Sequence, residues 1–167
     1  MKIDDAPEGA QVLDGVDELS LRAFREFRDA MRANGHAMGR RFAAKGAHMG
    51  QAACLRVLDG RDGISQRDMA DVLHVSRPSI TAMLQAVEKA GLVVRKPDES
   101  DQRLTRVYLT EEGRKVATEL RHVLADYVNE TFGSMPEADR RELARLLGCL
   151  RENITRAAGT GKGAHGE

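Results

Sequence analysis

The chain has 167 residues and equal numbers of basic and acidic side chains, 26 of each, which gives a formal net charge of zero. This length suits one ordinary domain with its own core, and no apolar run is long enough to cross a membrane. Only 4% of the residues are aromatic and none is Trp, which argues against a stacking surface for single-stranded nucleic acid; zero net charge argues mildly against nucleic-acid binding altogether.

The first segment, residues 1–16, is an acidic arm of low hydrophobicity that we predict to be flexible. The first twenty residues hold six acids and one lysine, so the rest of the chain has 25 basic and 20 acidic residues. The part that we expect to fold is therefore basic. The arm lacks the apolar stretch of a secretory signal, so we predict a cytoplasmic protein. A solvated tail explains the acidic arm better than a tail that masks the basic part of the chain.

Residues 17–47 are predicted to form a long amphipathic helix that begins near Asp17 or Ser20. Its apolar side chains recur at three- and four-residue spacing, at Leu21, Phe24, Met31, Met38 and Phe42. Three glycines predict a kink or a stop toward its end, at Gly35, Gly39 and Gly46.

The region 48–110 begins with a second helix, from about His48 to Leu58. A turn-forming cluster, Asp-Gly-Arg-Asp-Gly at 59–63, is expected to end this helix. We expect Ile64 to form a short strand or bridge that pairs with a later hairpin.

Two short helical patterns follow, separated by a tight break at 74–75, and this is the layout of a helix-turn-helix. The first pattern begins at Ser65, which can form a reciprocal N-terminal cap with Asp68. The second begins at Ser76, an N-cap residue type, and has Pro78 in its first turn, where no N–H is needed. Gly91 is positioned to end the second helix in a left-handed conformation.

The second of these helices is the candidate recognition helix, because its outward side chains near the start are polar. They are a guanidinium, two hydroxyls and an amide, at Arg77, Ser79, Thr81 and Gln85. Such groups can read base edges or hold phosphates. A plain helical hairpin in a bundle is the alternative structure for this stretch.

The stretch 92–110 has the composition of a two-stranded hairpin, or wing, because β-favouring residues flank a polar turn. Four cations lie at its base or tip, at Arg95, Lys96, Arg103 and Arg106. An arginine on a wing tip can enter the minor groove, where the potential is most negative. Phosphate would repel Asp101, so we predict that Asp101 orients Arg103 rather than contacting DNA.

After the wing, residues 111–157 are predicted to form two further helices, and residues 158–167 a flexible tail. Thr110 is the expected N-cap of the fifth helix, and Gly133 breaks the pattern before the sixth. The apolar stripes at both ends of the chain are wider than one small winged domain can cover. We therefore predict a symmetric homodimer that presents two recognition helices to a palindromic operator.

The stretch from Ser65 to Gly113 resembles the winged helix-turn-helix of the MarR family of bacterial transcription regulators. The resemblance rests on the sequence SRPSITAML in the recognition helix and on EKAGLVVRKPDESDQR, which leads into the wing. Its most specific part is an Asp-x-Arg wing followed by a strand and Leu-Thr-x-x-Gly, matched at Asp101, Arg103, Leu109, Thr110 and Gly113. The resemblance implies a mainly α fold with a small β wing and six helices. It also implies an obligate-type dimer with the N- and C-terminal helices at the interface.

The function implied by the resemblance is sequence-specific binding to double-stranded DNA, as a homodimeric repressor that a small-molecule effector releases. In that role the outward residues of the recognition helix would enter the major groove, with Ser76 at its start. Arg103 would enter the minor groove, oriented by Asp101. Four residues would steady the DNA backbone, namely Ser65, Gln66, Arg95 and Arg106. An effector would lie between the dimer helices and the DNA-binding lobe, near Phe27, Met31, His48, Cys54 and Val123, although core packing explains these residues equally well.

Other classes of function have less support in the sequence. No nucleophile elbow, phosphate-binding glycine loop or carboxylate cluster is present, so we predict that the chain is not an enzyme and has no cofactor. The five histidines form no i, i+4 pair, which disfavours a metal site. Cys54 and Cys149 lie in apolar helical patterns and are predicted to be buried thiols rather than redox switches. Two alternatives stay open: a winged-helix protein-interaction module without DNA binding, and a thiol- or metal-responsive regulator of the same fold.

Overall fold

The computed structural model describes residues 15–160, which form six helices and one two-stranded antiparallel sheet. The elements follow the chain as α1 (Glu18–Ala43), α2 (Met49–Gly60), α3 (Gln66–Val72), α4 (Arg77–Lys89), β1 (Val93–Pro97), β2 (Thr105–Leu109), α5 (Glu111–Thr131) and α6 (Glu137–Thr160). The predicted mainly α fold with a small wing is confirmed. Most of the predicted acidic arm and most of the predicted C-terminal tail lie outside the described residues.

The helices begin where short polar side chains can satisfy their first N–H groups. The side-chain oxygens of Asp17, Ser65, Ser76 and Thr110 each accept a hydrogen bond from the backbone N–H three residues later. Each such cap contributes about 0.5–2 kcal/mol to stability. Only the Ser65 half of the predicted reciprocal cap of α3 forms, since Asp68 donates its backbone N–H at 3.0 Å and its carboxylate makes no bond in return.

The structure places the ends of the first two helices more closely than the sequence did. The first helix runs without interruption through Gly35 and Gly39, and the chain turns only at Gly46, where φ is +73°. The second helix continues through Asp59 to Gly60 instead of ending at Leu58. The carboxylate of Asp59 accepts a hydrogen bond from Arg121 of α5 at 3.0 Å, so a residue typical of turns serves here as an interhelical contact.

The hydrophobic core lies between α2, α4 and the wing. Its fully buried side chains come from all three, namely Leu55, Leu58, Ile80, Leu84, Val87, Val93 and Val107. Burial of a side chain of this kind contributes about 1.5–3 kcal/mol. The three members from α4 form one stripe of that helix, so the core fixes which face of α4 points outward.

The wing is attached to the loop before α3. Strands β1 and β2 pair in antiparallel register, with Val93 opposite Leu109 and Pro97 opposite Thr105. Val107 of β2 accepts from the Gly63 N–H at 2.9 Å and donates to the Ile64 carbonyl at 3.1 Å, next to an isolated bridge between Ser65 and Arg106. The bridge predicted near Ile64 is therefore present, one residue further along the chain.

The junction between the wing and α5 requires a glycine. A Cβ at Gly113 would lie 1.9 Å from the backbone oxygen of Leu92, which accepts a hydrogen bond from the Thr110 N–H at 3.0 Å. This contact gives the physical reason for the Leu-Thr-x-x-Gly sequence: the first turn of α5 lies directly against the chain that enters β1.

Large apolar faces of α1, α5 and α6 are uncovered in the single chain. On α1, Phe24 is 58% exposed and Met31 is 59% exposed. No side chain of α6 is buried between residues 137 and 159, and Ile154 is 51% exposed. The prediction that Cys149 is buried is wrong for this chain, because α6 lies outside the core. Among the described residues, no helix is long and apolar enough to span a membrane.

Candidate nucleic-acid interface

The start of α4 is an exposed cluster of hydroxyls. Ser76 caps the helix by accepting from the Ser79 N–H at 3.2 Å, and the two hydroxyl oxygens lie 2.7 Å apart. Both residues are exposed, so they remain accessible to a ligand at the helix N-terminus. The backbone N–H groups there carry partial positive charge, which favours an anion such as phosphate.

Arg77, predicted to work in the major groove, is held by α3 in this structure. Its guanidinium donates to the backbone carbonyl of Arg67 and to both carboxylate oxygens of Asp71, at 3.1 and 3.3 Å. The side chains of the pair are 52% and 64% exposed, so their attraction is weakened by solvent. A phosphate or base could replace Asp71 as the partner at little cost in free energy.

Thr81 and Gln66, which were assigned separate roles from sequence, bind each other. The Gln66 side-chain amide donates to the Thr81 hydroxyl at 2.8 Å, and that hydroxyl donates to the Arg77 carbonyl at 2.9 Å. Gln85, one helical turn further along α4, is exposed and has no side-chain hydrogen bond to the described residues. Its amide is therefore available for a partner.

The wing loop is built around Asp98, a residue that the sequence analysis did not single out. One carboxylate oxygen of Asp98 accepts from the Ser100 N–H at 2.8 Å, the Ser100 hydroxyl at 2.6 Å and the Asp101 N–H at 2.9 Å. The other accepts from the Arg106 guanidinium. These donors, the Ser100 hydroxyl first, hold the pKa of Asp98 far below its usual range. The available signal was Asp two residues before Ser, which is the pattern of an Asx turn.

Arg106 and Arg95 are used inside the fold. Arg106 joins Asp98 to the Gly63 carbonyl, to which it donates at 2.9 Å, and so links the wing to the loop before α3. Arg95 donates to Glu88 of α4 at 2.9 Å and lowers the pKa of that carboxyl. Both arginines were predicted to steady the DNA backbone. The structure gives each a partner within the chain, and contact with DNA remains a prediction.

Arg103 differs from these arginines because its guanidinium has no partner among residues 15–160. The carboxylate of Asp101 accepts from the backbone N–H of Arg103 at 3.0 Å, while Leu104 donates its N–H to the Asp101 carbonyl at 2.9 Å. Asp101 therefore fixes the backbone of Arg103 rather than its guanidinium. The loop is ordered by internal bonds, and it presents one free cation at its tip.

A cavity of about 100 Å³ lies among α1, α2 and α5. Its walls are mainly apolar, with Arg56, Asp59 and Arg121 at the polar positions, and its other lining residues are Phe42, Ala52, Ala117, Leu120 and Leu124. These are the three helices expected to surround an effector. None of the five residues named from sequence lines the cavity. Cys54, one of them, is wholly buried in the core, and burial raises the pKa of its thiol to about 11.

Residues 15–160 contain no group of three or more His, Cys, Asp or Glu side chains arranged to hold a metal ion. One of the histidines considered from sequence, His165, lies outside this range. The geometry of the described part therefore offers a polar helix face, an ordered wing and an apolar cavity as its candidate sites.

Comparison with known proteins relates this geometry to a family. Residues 48–105 match the model of the MarR family. The transcriptional regulator FarR of Neisseria gonorrhoeae is 36% identical over 93 residues, which cover 56% of this chain and 61% of FarR. The crystal structure of a MarR transcriptional regulator from Methanosarcina mazei Go1 is 27% identical, with a TM-score of 0.68 over 84% of this chain and 99% of that chain. The chain resembles this family in the region that these matches cover. It spans less than two thirds of the length of FarR.

A further solved structure, the complex of S. aureus MepR with DNA, superposes with a TM-score of 0.72 over 78% of this chain and 96% of that one. At 19% identity this likeness shows the shared fold alone. The FarR and M. mazei proteins are both named as transcriptional regulators.

Proposed function

We propose that this chain is a transcription regulator that binds double-stranded DNA in a sequence-specific manner through α4 and the wing. The observation that carries the proposal is the free guanidinium of Arg103 on an ordered wing, beside three arginines that are paired inside the fold. A cation held at the tip of a stiff loop suits the minor groove, whose negative potential attracts arginine. The exposed amide of Gln85 on α4 suits base edges in the major groove. The complex of MepR with DNA supports this use of the fold.

The proposed regulator acts as a homodimer on a palindromic operator. The uncovered apolar faces of α1, α5 and α6 support a dimer, because contiguous exposed apolar surface in a protein marks an interface. A two-fold dimer would carry two recognition helices, and DNA sites for such proteins mirror this symmetry. Regulation of transcription also places the protein in the cytoplasm.

The proposed regulation is repression relieved by a small molecule that binds in the cavity among α1, α2 and α5. Its walls suit an apolar body, and Arg56, which has no side-chain partner among the described residues, suits an acidic group. The proposed effector class is therefore an amphipathic acid. A ligand there would change the packing of α5 on α2, and so the separation of the two DNA-binding lobes.

The test is selection of duplexes from a randomised library by the purified protein, followed by binding of the selected duplex at several salt concentrations. We expect one dimer per palindrome and an affinity that falls steeply with salt, because phosphate contacts release counterions. Failure to select any duplex and failure to bind unrelated DNA at low salt would refute DNA binding. That result would favour the second candidate, a protein-interaction module, for which zero net charge is the supporting observation.

A further inference from the structure

Gln66 and Thr81 form one hydrogen-bonded unit between the two helices of the helix-turn-helix. Gln66 is the first residue of α3, and Thr81 lies in the second turn of α4. The amide nitrogen of Gln66 lies 2.8 Å from the hydroxyl oxygen of Thr81. The same hydroxyl lies 2.9 Å from the Arg77 carbonyl, four residues earlier in α4. Both side chains are half-buried.

The hydroxyl determines which way the amide faces. A threonine hydroxyl has one hydrogen, and in its contact with the Arg77 carbonyl, which can only accept, the hydroxyl must be the donor. Toward Gln66 the Thr81 oxygen is therefore an acceptor, so the amide must present its NH₂ group to it. The amide carbonyl oxygen then points away from Thr81. It is open to solvent, because residues 15–160 contain no buried side-chain oxygen or nitrogen without a partner.

An amide held in this way offers one N–H and one carbonyl oxygen to a ligand. In the major groove adenine presents the complementary pair, the N7 acceptor and the N6 amino donor. Guanine presents two acceptors there, and a phosphate presents only acceptors, so each would leave the amide oxygen facing another oxygen. We propose that Gln66 reads an adenine in each operator half-site and that Thr81 is the positioning residue that sets its orientation.

This inference rests on the proposed DNA binding and changes the roles expected from sequence. Gln66 was expected to steady the phosphate backbone, and Thr81 was expected to contact bases directly. In the proposed arrangement Thr81 has no hydrogen left to donate to a base, and Gln66 carries the specificity.

Selection from a randomised duplex library, run in parallel on four proteins, tests the inference. They are the wild type, Gln66→Ala, Thr81→Val, which removes the hydroxyl and keeps the side-chain shape, and Thr81→Ser, which keeps the hydroxyl. We expect the wild type and Thr81→Ser to select adenine at one position in each half-site. Gln66→Ala should lose the preference at that position alone, and Thr81→Val should weaken it. Thermal unfolding of all four proteins separates these effects from loss of the fold.

A second measurement tests whether the Gln66 amide binds the N7 atom of adenine. Substitution of 7-deaza-adenine at the selected position removes the N7 acceptor. Because the N6 amino group remains, it should lower wild-type affinity by up to about 150-fold, the upper limit for one complete bidentate contact, and leave Gln66→Ala unaffected.

Three outcomes would overturn the inference. Equal preferences in the wild type and Gln66→Ala would show that Gln66 reads no base. A uniform loss of affinity across sequences, with the salt dependence unchanged because the amide carries no charge, would assign Gln66 to a phosphate. An unchanged preference in Thr81→Val would remove Thr81 as the positioning residue. A wild-type protein that selects no duplex would instead refute the proposed function on which the inference rests.

Discussion

Replacement of Arg103 by Ala should weaken operator binding without unfolding the protein. The guanidinium has no partner among the described residues, so its removal takes no hydrogen bond or ion pair from the folded chain. An arginine that contacts DNA specifically contributes about 1–3 kcal/mol. A homodimer carries two wings, so the loss should be about 2–6 kcal/mol, or roughly 30-fold to 10⁴-fold in affinity. The slope of log affinity against log salt should also become shallower, because a cation bound in the minor groove displaces counterions from the duplex and two such cations are lost.

Asp98→Asn tests whether the wing must be ordered for Arg103 to act. Asparagine keeps one acceptor oxygen for the Ser100 and Asp101 N–H groups, but it presents a neutral amide to Arg106. We expect weaker operator binding than in the wild type, with a smaller loss than Arg103→Ala causes. If Asp98 acts through Arg103, its replacement should change nothing further in a protein that already lacks Arg103.

Fluorescence anisotropy with the selected duplex, at three salt concentrations, measures these effects for the single and double variants. Lys45→Ala is the matched control, because Lys45 is an exposed cation in the turn between α1 and α2. It should bind nearly as the wild type does. An Arg103→Ala protein within twofold of wild-type affinity would refute a role for the wing tip. If Asp98→Asn lowers affinity equally in the wild type and in Arg103→Ala, the two residues are not coupled.

Further predictions concern the fold, its titration and its assembly. Gly113→Ala should lower the free energy of unfolding in urea by at least about 1–3 kcal/mol, because the new Cβ meets the Leu92 oxygen at 1.9 Å; an unchanged midpoint would contradict this packing. Cys54 should resist alkylation at pH 8 until the protein is denatured, because its thiol is buried with a pKa of about 11; labelling in the native state would contradict this. The lowered pKa of Asp98 stabilises the fold above about pH 4, where the unfolded carboxyl is also ionised, and this contribution is lost as pH falls toward the folded pKa. The difference in unfolding midpoint between wild type and Asp98→Asn should therefore shrink from pH 6 to pH 3, and a constant difference would rule out this charge effect. Leu147→Glu should convert the dimer to a monomer in light scattering, because Leu147 is 42% exposed on α6; a monomeric wild type would refute the dimer itself.

The sequence predicted helix ends well where a residue type is strongly associated with one position, such as a serine N-cap or a glycine after the last turn. Ser76 with Pro78 located the start of α4, and Gly91, at φ +72°, located its end. Such caps depend on hydrogen bonds within a few residues, which the sequence displays directly. Gly35 and Gly39 did not interrupt α1. A long helix tolerates a weak helix former, because the residues on either side of it continue the helix.

The partners of the polar residues could not be predicted, because they depend on how separate elements pack. Arg77 was assigned to DNA from its place on α4, yet Asp71 on α3 lies within hydrogen-bond distance of it. The partners of Arg106 could not be predicted either, since Asp98 and the Gly63 carbonyl are 8 and 43 residues away in the chain. Cys149 was misjudged for a related reason: an apolar helical stripe shows that a face needs cover, but not whether the same chain supplies it.

The zero net charge, which argued against nucleic-acid binding, loses its force once these partners are known. A count of charges treats every arginine as available, but Arg77, Arg95 and Arg106 each face a carboxylate within residues 48–110, the proposed DNA-binding lobe. Those three acids neutralise these three arginines, and they order the elements that carry Arg103, whose guanidinium has no partner among the described residues. A sequence-specific DNA-binding protein gains more selectivity from one cation at a defined position than from a diffuse positive surface, because diffuse charge attracts every duplex equally. If the proposed function holds, a nearly neutral lobe with a fixed wing favours discrimination between sequences over binding to DNA in general.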